Sequence, residues 1–323
     1  MPKSAPSIGL TSLAPAALLV LALAPLACAR PSPTGVAIDK RVREPSGLVA
    51  SREHAGVYWT HGDSGNGNVL FAIDEGGQLL ARYQVKGAQN VDWEDIALDD
   101  AGNLWLGDIG NNEGERRDLE VHRLPEPDPS DPESIAKVDL SVGYRYPDQT
   151  EFGRRDHAFD SESMMWWGGT LWLWSKSRRD YVTKLYRFPT DAVTSAEDVD
   201  DVALELLGRH DLGLELGDGI PRSEWPGRAT AADVSPDGSK WAVLSYEAIS
   251  IFDAPGPELS PAELEAQLEA KLLAPSHRIT LDPSYVRQIE ALSWDAQGLL
   301  LCNEERAVFR IAEPLKAQRY PGE

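Results

Sequence analysis

Residues 94–107, EDIALDDAGNLWLG, contain the pattern that decides the fold. They predict a short strand, a tight turn at Gly102, and a second strand that carries Trp105 three positions after the glycine. The same spacing, a glycine followed three residues later by a large apolar residue, recurs in Gly56/Trp59, Gly102/Trp105, Gly169/Trp172, Gly238/Trp241 and Gly298/Leu301. This recurrence predicts a chain built from copies of one structural unit.

Each copy contains more than this one hairpin. The glycine is preceded each time by a strand-like segment: SGLVAS, EDIALD, ESMMWW, AADVSP and EALSWD. Further strand-like runs follow it, such as VLFAID and LLARYQV in the first copy, and KLYRFP and VALELL in the third. Successive glycines are 46, 67, 69 and 60 residues apart, which accommodates four strands with loops of variable length.

Four strands per copy in a radial array describe a β-propeller, in which each tryptophan packs between adjacent blades. The sequence therefore predicts an all-β fold with five blades, or six if one long copy hides an extra blade. The last copy has no clear fourth strand after AVFRIA, so we expect residues 36–42 to complete the last blade and close the ring. Two stacked β-sandwiches would share the strand content without explaining the recurring glycine and tryptophan.

One inserted helix is predicted near residue 260. Residues 260–263, SPAE, place a serine at the N-cap, a proline at the first helical position and a glutamate at the third. Leu264, Leu268 and Leu272 then recur at every fourth position. This spacing predicts a short amphipathic helix against the outer rim of the propeller.

The chain begins with a predicted export signal. An apolar run of 15 residues, 13–27, follows Lys3 and is too short to cross a membrane comfortably. Its end resembles a bacterial lipoprotein signal, in which Cys28 becomes the lipidated first residue, although Pro25 stands where that signal usually has leucine. Cleavage after Ala29 by ordinary signal peptidase is the alternative.

We therefore expect a signal peptide over residues 1–29, a tether over 30–35 and the propeller domain over 36–323. This organisation predicts an exported protein that is lipid-anchored to the cell envelope. Cleavage after Ala29 would instead give a soluble periplasmic or secreted protein. Cys302 is left without a disulfide partner, and its place in the apolar run LLLCN predicts a buried hydrophobic residue.

The composition limits the classes of partner. The 323 residues include 52 acidic and 31 basic side chains, which gives a formal net charge of −21, and 42% of the residues are apolar. Such a chain can build a sizeable core, but its negative field repels nucleic acid and anionic membrane surfaces. We expect a monomer that binds a small molecule or a protein, no nucleic acid, and contact with a membrane only through a lipid anchor.

Polar residues gather at one end of the predicted channel. In an antiparallel blade, the innermost strand starts and the second strand ends at the same edge. At the start of the innermost strands the sequence places Ser46, Glu94, Glu162, Ala232 and Glu290. At the end of the second strands it places Asp63, Asp108, Lys176, Tyr246 and Glu304. We expect these positions to converge on one mouth of the channel.

Crowded carboxylates resist ionisation unless a cation compensates their charge, and Ca²⁺ prefers oxygen ligands. The candidate metal ligands at the mouth are Asp63, Asp92, Glu94, Asp108, Asn111, Glu162, Glu290 and Glu304. The loops DSGNGN and DIGNNE, at 63–68 and 108–113, suit a calcium loop and suit a tight turn equally well. Alternatively, acids such as Asp95, Asp160 and Asp233 accept hydrogen bonds from neighbouring blades and tie the ring together.

Familiar catalytic signatures are absent from the sequence. It contains no G-x-S-x-G, H-E-x-x-H, C-x-x-C or G-x-x-x-x-G-K motif. Residue type and expected position leave five candidates for acid–base chemistry: Glu94, Glu162, Lys176, His61 and His157.

Several segments resemble a largely uncharacterised group of secreted bacterial β-propellers. These segments are EPSGLVAS, YWTHGDSGN, NVDWEDIA, LWLGDIGNN and, more weakly, DSES, TAADVSPDG and IEALSW, and they extend from Glu44 to Glu305. More distantly, the chain is similar to phytase-like, esterase-like and gluconolactonase-type propellers. That likeness implies a channel mouth that holds Ca²⁺ and hydrolyses small esters, but likeness of fold alone does not transfer an activity.

The sequence leaves two functions open. The first is an envelope protein that binds a ligand or a protein partner at its acidic channel mouth. The second is a Ca²⁺-dependent hydrolase of phosphate or carboxylic esters, in which a metal-bound water is the nucleophile. The missing catalytic signatures favour the first.

Overall fold

Five sheets surround one axis in the computed structural model, which describes residues 1, 35–131, 133–212, 227–256, 259, 263–264, 266–268 and 275–321. Within these residues the strands are, in chain order, β1 (Val36–Ala37), β2 (Pro45–Ala50), β3 (Val57–Gly62), β4 (Val69–Asp74), β5 (Leu79–Gln84), β6 (Trp93–Leu98), β7 (Asn103–Asp108), β8 (Leu119–Pro125), β9 (Leu140–Arg145), β10 (Asp160–Trp167), β11 (Thr170–Lys176), β12 (Val182–Arg187), β13 (Val199–Ala203), β14 (Glu205–Asp211), β15 (Ala229–Val234), β16 (Lys240–Ser245), β17 (Ala248–Asp253), β18 (His277–Leu281), β19 (Ile289–Asp295), β20 (Gly298–Asn303), β21 (Ala307–Ile311) and β22 (Arg319–Tyr320).

The strands pair into five blades. From the channel outward, their orders are β2-β3-β4-β5 for blade 1, β6-β7-β8-β9-β13 for blade 2, β10-β11-β12-β14 for blade 3, β15-β16-β17-β18-β22 for blade 4 and β19-β20-β21-β1 for blade 5. The innermost strands β2, β6, β10, β15 and β19 contact one another in a closed cycle. The predicted five-bladed propeller is therefore confirmed, and no sixth blade is present among the described strands.

The ring closes as the sequence predicted. Strand β1 pairs antiparallel with β21, and Val36 lies opposite Val308. The strand itself is limited to two residues, but Ile38 and Val42 beyond it are buried, and the Ile38 amide donates to the Arg306 carbonyl at 2.8 Å. The first and last blades are thus joined by hydrogen bonds and by apolar packing.

The tight turns explain the repeated glycine. All five glycines of the repeat have φ between 71° and 117°, a left-handed conformation that other residues rarely adopt. Each turn positions a buried large side chain at the start of the second strand of its blade. In blade 4, Trp241 packs against Trp172 of blade 3 with ring centroids 5.2 Å apart. Tryptophan therefore packs between adjacent blades, as expected.

The run VALELL does not form one strand of the third copy. The chain divides it at Leu204: β13 joins the outer edge of blade 2, parallel to β9, whereas β14 pairs with β12 in blade 3. Leu204 is buried, and its amide donates to the Arg145 carbonyl at 3.1 Å. This crossover supplies backbone hydrogen bonds to two blades. Because the pairing is long-range, the local strand character of the sequence does not predict it.

Helical structure is limited. Among the described residues, α1 (Thr190–Val193) and α2 (Pro283–Val286) are single turns, and residues 263–264 and 266–268 are also helical. Leu264 and Leu268 of the expected inserted helix are buried in one apolar cluster with Trp241. The predicted start at Ser260, Pro261 and Ala262, and Leu272, lie outside the described residues.

Buried acids tie the blades together around the channel. Asp95 of β6 accepts hydrogen bonds from the amides of Met164 in blade 3 at 2.7 Å and Ala232 in blade 4 at 3.4 Å. Asp233 of β15 accepts from the Trp294 amide of blade 5 at 2.7 Å. Burial raises the pKa of Asp95 well above its ordinary value. These two acids have the tying role that the sequence left open.

We expect Asp95→Ala to lower the free energy of unfolding by about 3 kcal/mol, because it removes the acceptor of two inter-blade amides and leaves buried donors unpaired. Urea unfolding measures this loss. The control is Glu53→Ala at an exposed position, which should change stability by less than about 0.5 kcal/mol. A loss below about 1 kcal/mol for Asp95→Ala would show that Asp95 does not hold the ring.

Candidate acidic channel mouth

A β-bulge interrupts the innermost strand of every blade near its first residues. The pairing register shifts between Ser46 and Leu48, Trp93 and Asp95, Ser161 and Ser163, Ala229 and Ala231, and Ile289 and Ala291. The extra residues are Gly47, Glu94, Glu162, Thr230 and Glu290. A bulge re-aims the side chain it carries, so three blades present a glutamate here.

Alignment on the bulges corrects the other two blades and the ends of two second strands, since Asp63 lies one position later than Lys176, Tyr246 and Glu304. Gly47 and Thr230, rather than Ser46 and Ala232, are equivalent to the three glutamates. Asp108 pairs with Trp93 directly before the bulge, one position earlier than Lys176, Tyr246 and Glu304 in their blades. Because side chains alternate along a strand, this one-residue offset turns Asp108 away from the mouth.

Asp63, Asp92 and Glu94 form a compact cluster of carboxylates, which we call the acidic triad. One oxygen from each lies within 4.8 Å of the others. Asp63 follows β3 of blade 1, Asp92 directly precedes β6 of blade 2, and Glu94 is the bulge of β6. Gly110 covers the triad so closely that a Cβ there would collide with Asp92 Oδ2 and Glu94 Oε1. A larger residue at this position would therefore force the two carboxylates to move.

Glu94 is the most deeply buried member of the triad. Its side chain is buried, with 3% of the residue exposed, and among the described residues its one hydrogen bond is from Ser46 Oγ to Oε2 at 3.5 Å. Burial, followed by repulsion from Glu162 and the other triad acids, raises the pKa of Glu94 well above its ordinary value. Burial raises the pKa of Asp92 to about 6 and also raises that of Asp63. Attraction to Lys176 and Arg116 offsets these shifts only in part, and no cationic side chain among the described residues forms an ion pair with the triad.

Asp108 and Asn111 support the triad without joining it. Asp108 forms an ion pair with Arg116 at 2.7 Å and accepts the Asp92 amide at 3.0 Å, so it positions Asp92 through the backbone. The Asn111 side chain donates to the Phe159 carbonyl at 3.0 Å and accepts from the Arg116 amide at 3.0 Å. Both side chains hold loops together. Arg116 carries no sequence signal of this role.

A chain of polar contacts crosses the mouth beside the triad and links blades 3, 4 and 5. Glu162 forms an ion pair with Lys176, whose Nζ donates to Tyr246 Oη at 3.1 Å. Tyr246 Oη in turn donates to Glu290 Oε1 at 2.5 Å. Burial opposes the charge of Lys176, but attraction to Glu162 prevails and raises the pKa of Lys176 well above its ordinary value. Lys176 is thus a buried cation.

Glu304 extends this chain, and its proton is retained. Burial, together with a hydrogen bond to Glu290, raises the pKa of Glu304 to about 9. Burial raises the pKa of Glu162 to about 8, although Lys176 opposes the shift. The expected convergence is therefore present: every blade contributes at least one polar group to the mouth.

The two histidines are placed differently from the carboxylates. His61 is fully buried, its Nδ1 lies 3.3 Å from the Gly62 carbonyl oxygen, and its ring meets Trp93 edge to face. Burial lowers its pKa to about 4, so it is neutral at pH 7. His157 is also buried, and its Nδ1 accepts the Phe159 amide at 3.1 Å. Both rings belong to the supporting structure around the mouth.

Asp160 and Cys302 also belong to the supporting structure of the ring. Asp160 accepts the Asn111 amide at 2.6 Å and pairs with Arg178 at 2.7 Å, which ties blade 3 to a loop of blade 2. Cys302 is fully buried and free, as the sequence predicts.

The retained proton of Glu304 predicts how stability depends on pH. Between the unfolded pKa near 4.5 and the folded pKa of about 9, Glu304 binds a proton only in the folded state, so stability falls as pH rises. We expect the melting temperature of chelator-treated protein to fall by about 5 °C or more from pH 5 to pH 9.

The variant Glu304→Gln should have a shallower fall above pH 6, whereas Glu53→Gln should retain the original slope. Equal slopes in all three proteins would contradict the retained proton and leave general charge repulsion as the cause.

Comparisons with known proteins add little to this geometry. No family model matches the chain, and no curated protein matches it. One similar solved structure is hydrazine synthase of Kuenenia stuttgartiensis, with 12% identity, a TM-score of 0.40, and coverage of 84% of this chain and 72% of that one. A similarity this low carries no argument. In the described part of the chain, every helix is too short or too polar to span a membrane.

Proposed function

We propose that this propeller binds a ligand at its acidic channel mouth, and that a divalent cation, Ca²⁺ in the first instance, forms part of the binding site. The observation that carries this proposal is the buried Glu94 carboxylate, which has one long hydrogen bond and faces two further acids. A buried charge without a partner is costly, and a cation would remove that cost.

The donor set suits a hard cation. The three triad residues offer only carboxylate oxygens, and Ca²⁺ takes six to eight oxygen ligands at flexible geometry. Three carboxylates supply at most six oxygens, so the ion would retain room for water or for an oxygen of a bound ligand. Asp108, Asn111, Glu162, Glu290 and Glu304 are engaged with other partners, which supports Asp63, Asp92 and Glu94 as the ligands.

A Ca²⁺-dependent ester hydrolase is the second candidate. The contact of Lys176 with Tyr246 beside the triad supports it, because a neighbouring ammonium group favours ionisation of a phenol, and such a phenol can donate a proton to a leaving group. Burial nevertheless raises the pKa of Tyr246 well above its ordinary value, and Tyr246 donates its hydrogen bond to Glu290. These features suit a fixed binding surface better than a proton shuttle.

We expect chelator-treated protein to bind Ca²⁺ with measurable heat in calorimetry and to melt at a higher temperature in millimolar Ca²⁺. Glu94→Gln should weaken binding at least tenfold, because it removes one anionic ligand. The control Glu53→Gln should retain the wild-type affinity.

Absence of both heat and a melting shift would refute the cation site. Binding of Ca²⁺ without turnover of chromogenic phosphate and carboxylic esters would support the binding function. Turnover that is lost in Tyr246→Phe would instead support the hydrolase.

The proposed location follows from the N-terminal segment. We propose that the protein is exported and held at the cell envelope by a lipid on Cys28. Cys28→Ser should move the protein from the membrane fraction to the soluble fraction, as immunoblotting after fractionation would show. Unchanged fractionation would contradict the anchor and support cleavage after Ala29.

A further inference from the structure

Two arginines from adjacent blades lie at the same channel mouth. Arg178 follows the end of β11 in blade 3 by two residues, and Arg228 directly precedes β15 in blade 4. The ends of these strands meet where Lys176 donates to Tyr246. Arg228 is a mouth residue because it lies one position before an innermost strand.

The two arginine side chains differ in their hydrogen bonds and ion pairs. Arg178 pairs with Asp160 at 2.7 Å, donates to the Asn112 side chain, and lies 3.9 Å from Glu162. Arg228 is partly buried and makes no hydrogen bond or ion pair with any described residue. Burial and repulsion from Arg178 both lower the pKa of Arg228. A guanidinium group has five N–H donors. Leaving these donors without an acceptor partner is unfavourable in a partly buried place.

The acids near Arg228 already have other partners. Asp160 is held by Arg178 and by the Asn111 amide, and Glu162 is held by Lys176. The Tyr246 hydroxyl donates to Glu290. The attraction of these groups partly offsets the repulsion from Arg178, but none of them provides an acceptor to Arg228. An acceptor from outside the chain would complete its hydrogen bonding.

We infer that Arg228, with Arg178 beside it, binds the carboxylate of a small organic ligand at the channel mouth. A planar guanidinium group matches a carboxylate with two parallel hydrogen bonds. A monoanion suits this place better than phosphate, because the surrounding acids and the net charge of −21 repel higher negative charge. The inference rests on the proposed ligand-binding mouth and names the chemical group that the mouth recognises.

The test measures binding of benzoate and acetate to the full mature protein by ligand-observed NMR, with inorganic phosphate as the comparison anion. Titrations are run at low ionic strength, once with chelator and once with Ca²⁺, since salt screens such contacts. We expect benzoate to bind more tightly than phosphate in at least one condition. Arg228→Gln should weaken benzoate binding at least tenfold. Arg228→Lys should weaken binding less, because lysine retains the positive charge and loses only the two parallel hydrogen bonds of the guanidinium group.

Arg82→Gln is the matched control, since Arg82 is an exposed arginine on β5 that has no hydrogen bond or ion pair among the described residues. This variant should bind benzoate like the wild type. Thermal unfolding without ligand gives a second, independent measurement. Arg228→Gln should leave the melting temperature unchanged or raise it, because it removes an unpaired charge, whereas a structural arginine would lower it on replacement.

The outcomes separate this inference from the proposed cation site. Ca²⁺ binding without any carboxylate binding would overturn the arginine site and leave the cation site standing. Carboxylate binding that persists in chelator and is lost in Arg228→Gln would support the arginine site even if Ca²⁺ fails to bind. Tighter binding of phosphate than of benzoate, or a lower melting temperature for Arg228→Gln, would contradict the inference.

Discussion

The pairing of β1 with β21 is the constraint on which the rest of the molecule depends. It joins a segment that precedes blade 1 to the outer edge of blade 5, so the first and last blades cannot separate. Asp63 in blade 1 and Glu290 in blade 5 therefore face one channel mouth although they are far apart in sequence. Without closure, the outer edge of β21 would be unpaired, blades 1 and 5 could separate, and the mouth would lose its shape.

Acidic side chains have two distinct roles within this ring. Asp95 and Asp233 accept backbone hydrogen bonds from neighbouring blades, so their burial contributes to holding the sheets in place. Asp63, Asp92 and Glu94 instead crowd together with few hydrogen-bond donors and raised pKa values. The first group stabilises the fold. The second group, like the partly buried Arg228, places titratable groups with shifted pKa values at the mouth, an arrangement that is common at functional sites.

Much of the mouth was predictable, and the errors have one cause. Glu94, Glu162 and Glu290 were aligned correctly because each lies seven or eight residues before the repeated glycine of its blade. Ser46, Asp63, Asp108 and Ala232 were misplaced by one or two positions, because the first hairpin differs in length between blades: the residues paired directly before the bulge are 14 to 16 positions apart in sequence. A one-residue shift reverses the direction of a side chain, and so Asp108 contacts Arg116 instead of the triad.

The sequence by itself determined the all-β class, the five copies, the closing strand and the acidic character of the mouth, because these follow from local periodicity, turn glycines and composition. Only the tertiary structure decided which acids tie blades together, which three form a cluster, and that VALELL serves two blades. These outcomes depend on hydrogen bonds between segments that are distant in sequence, such as the bond from the Ala232 amide to Asp95. No local pattern encodes a partner more than a hundred residues away.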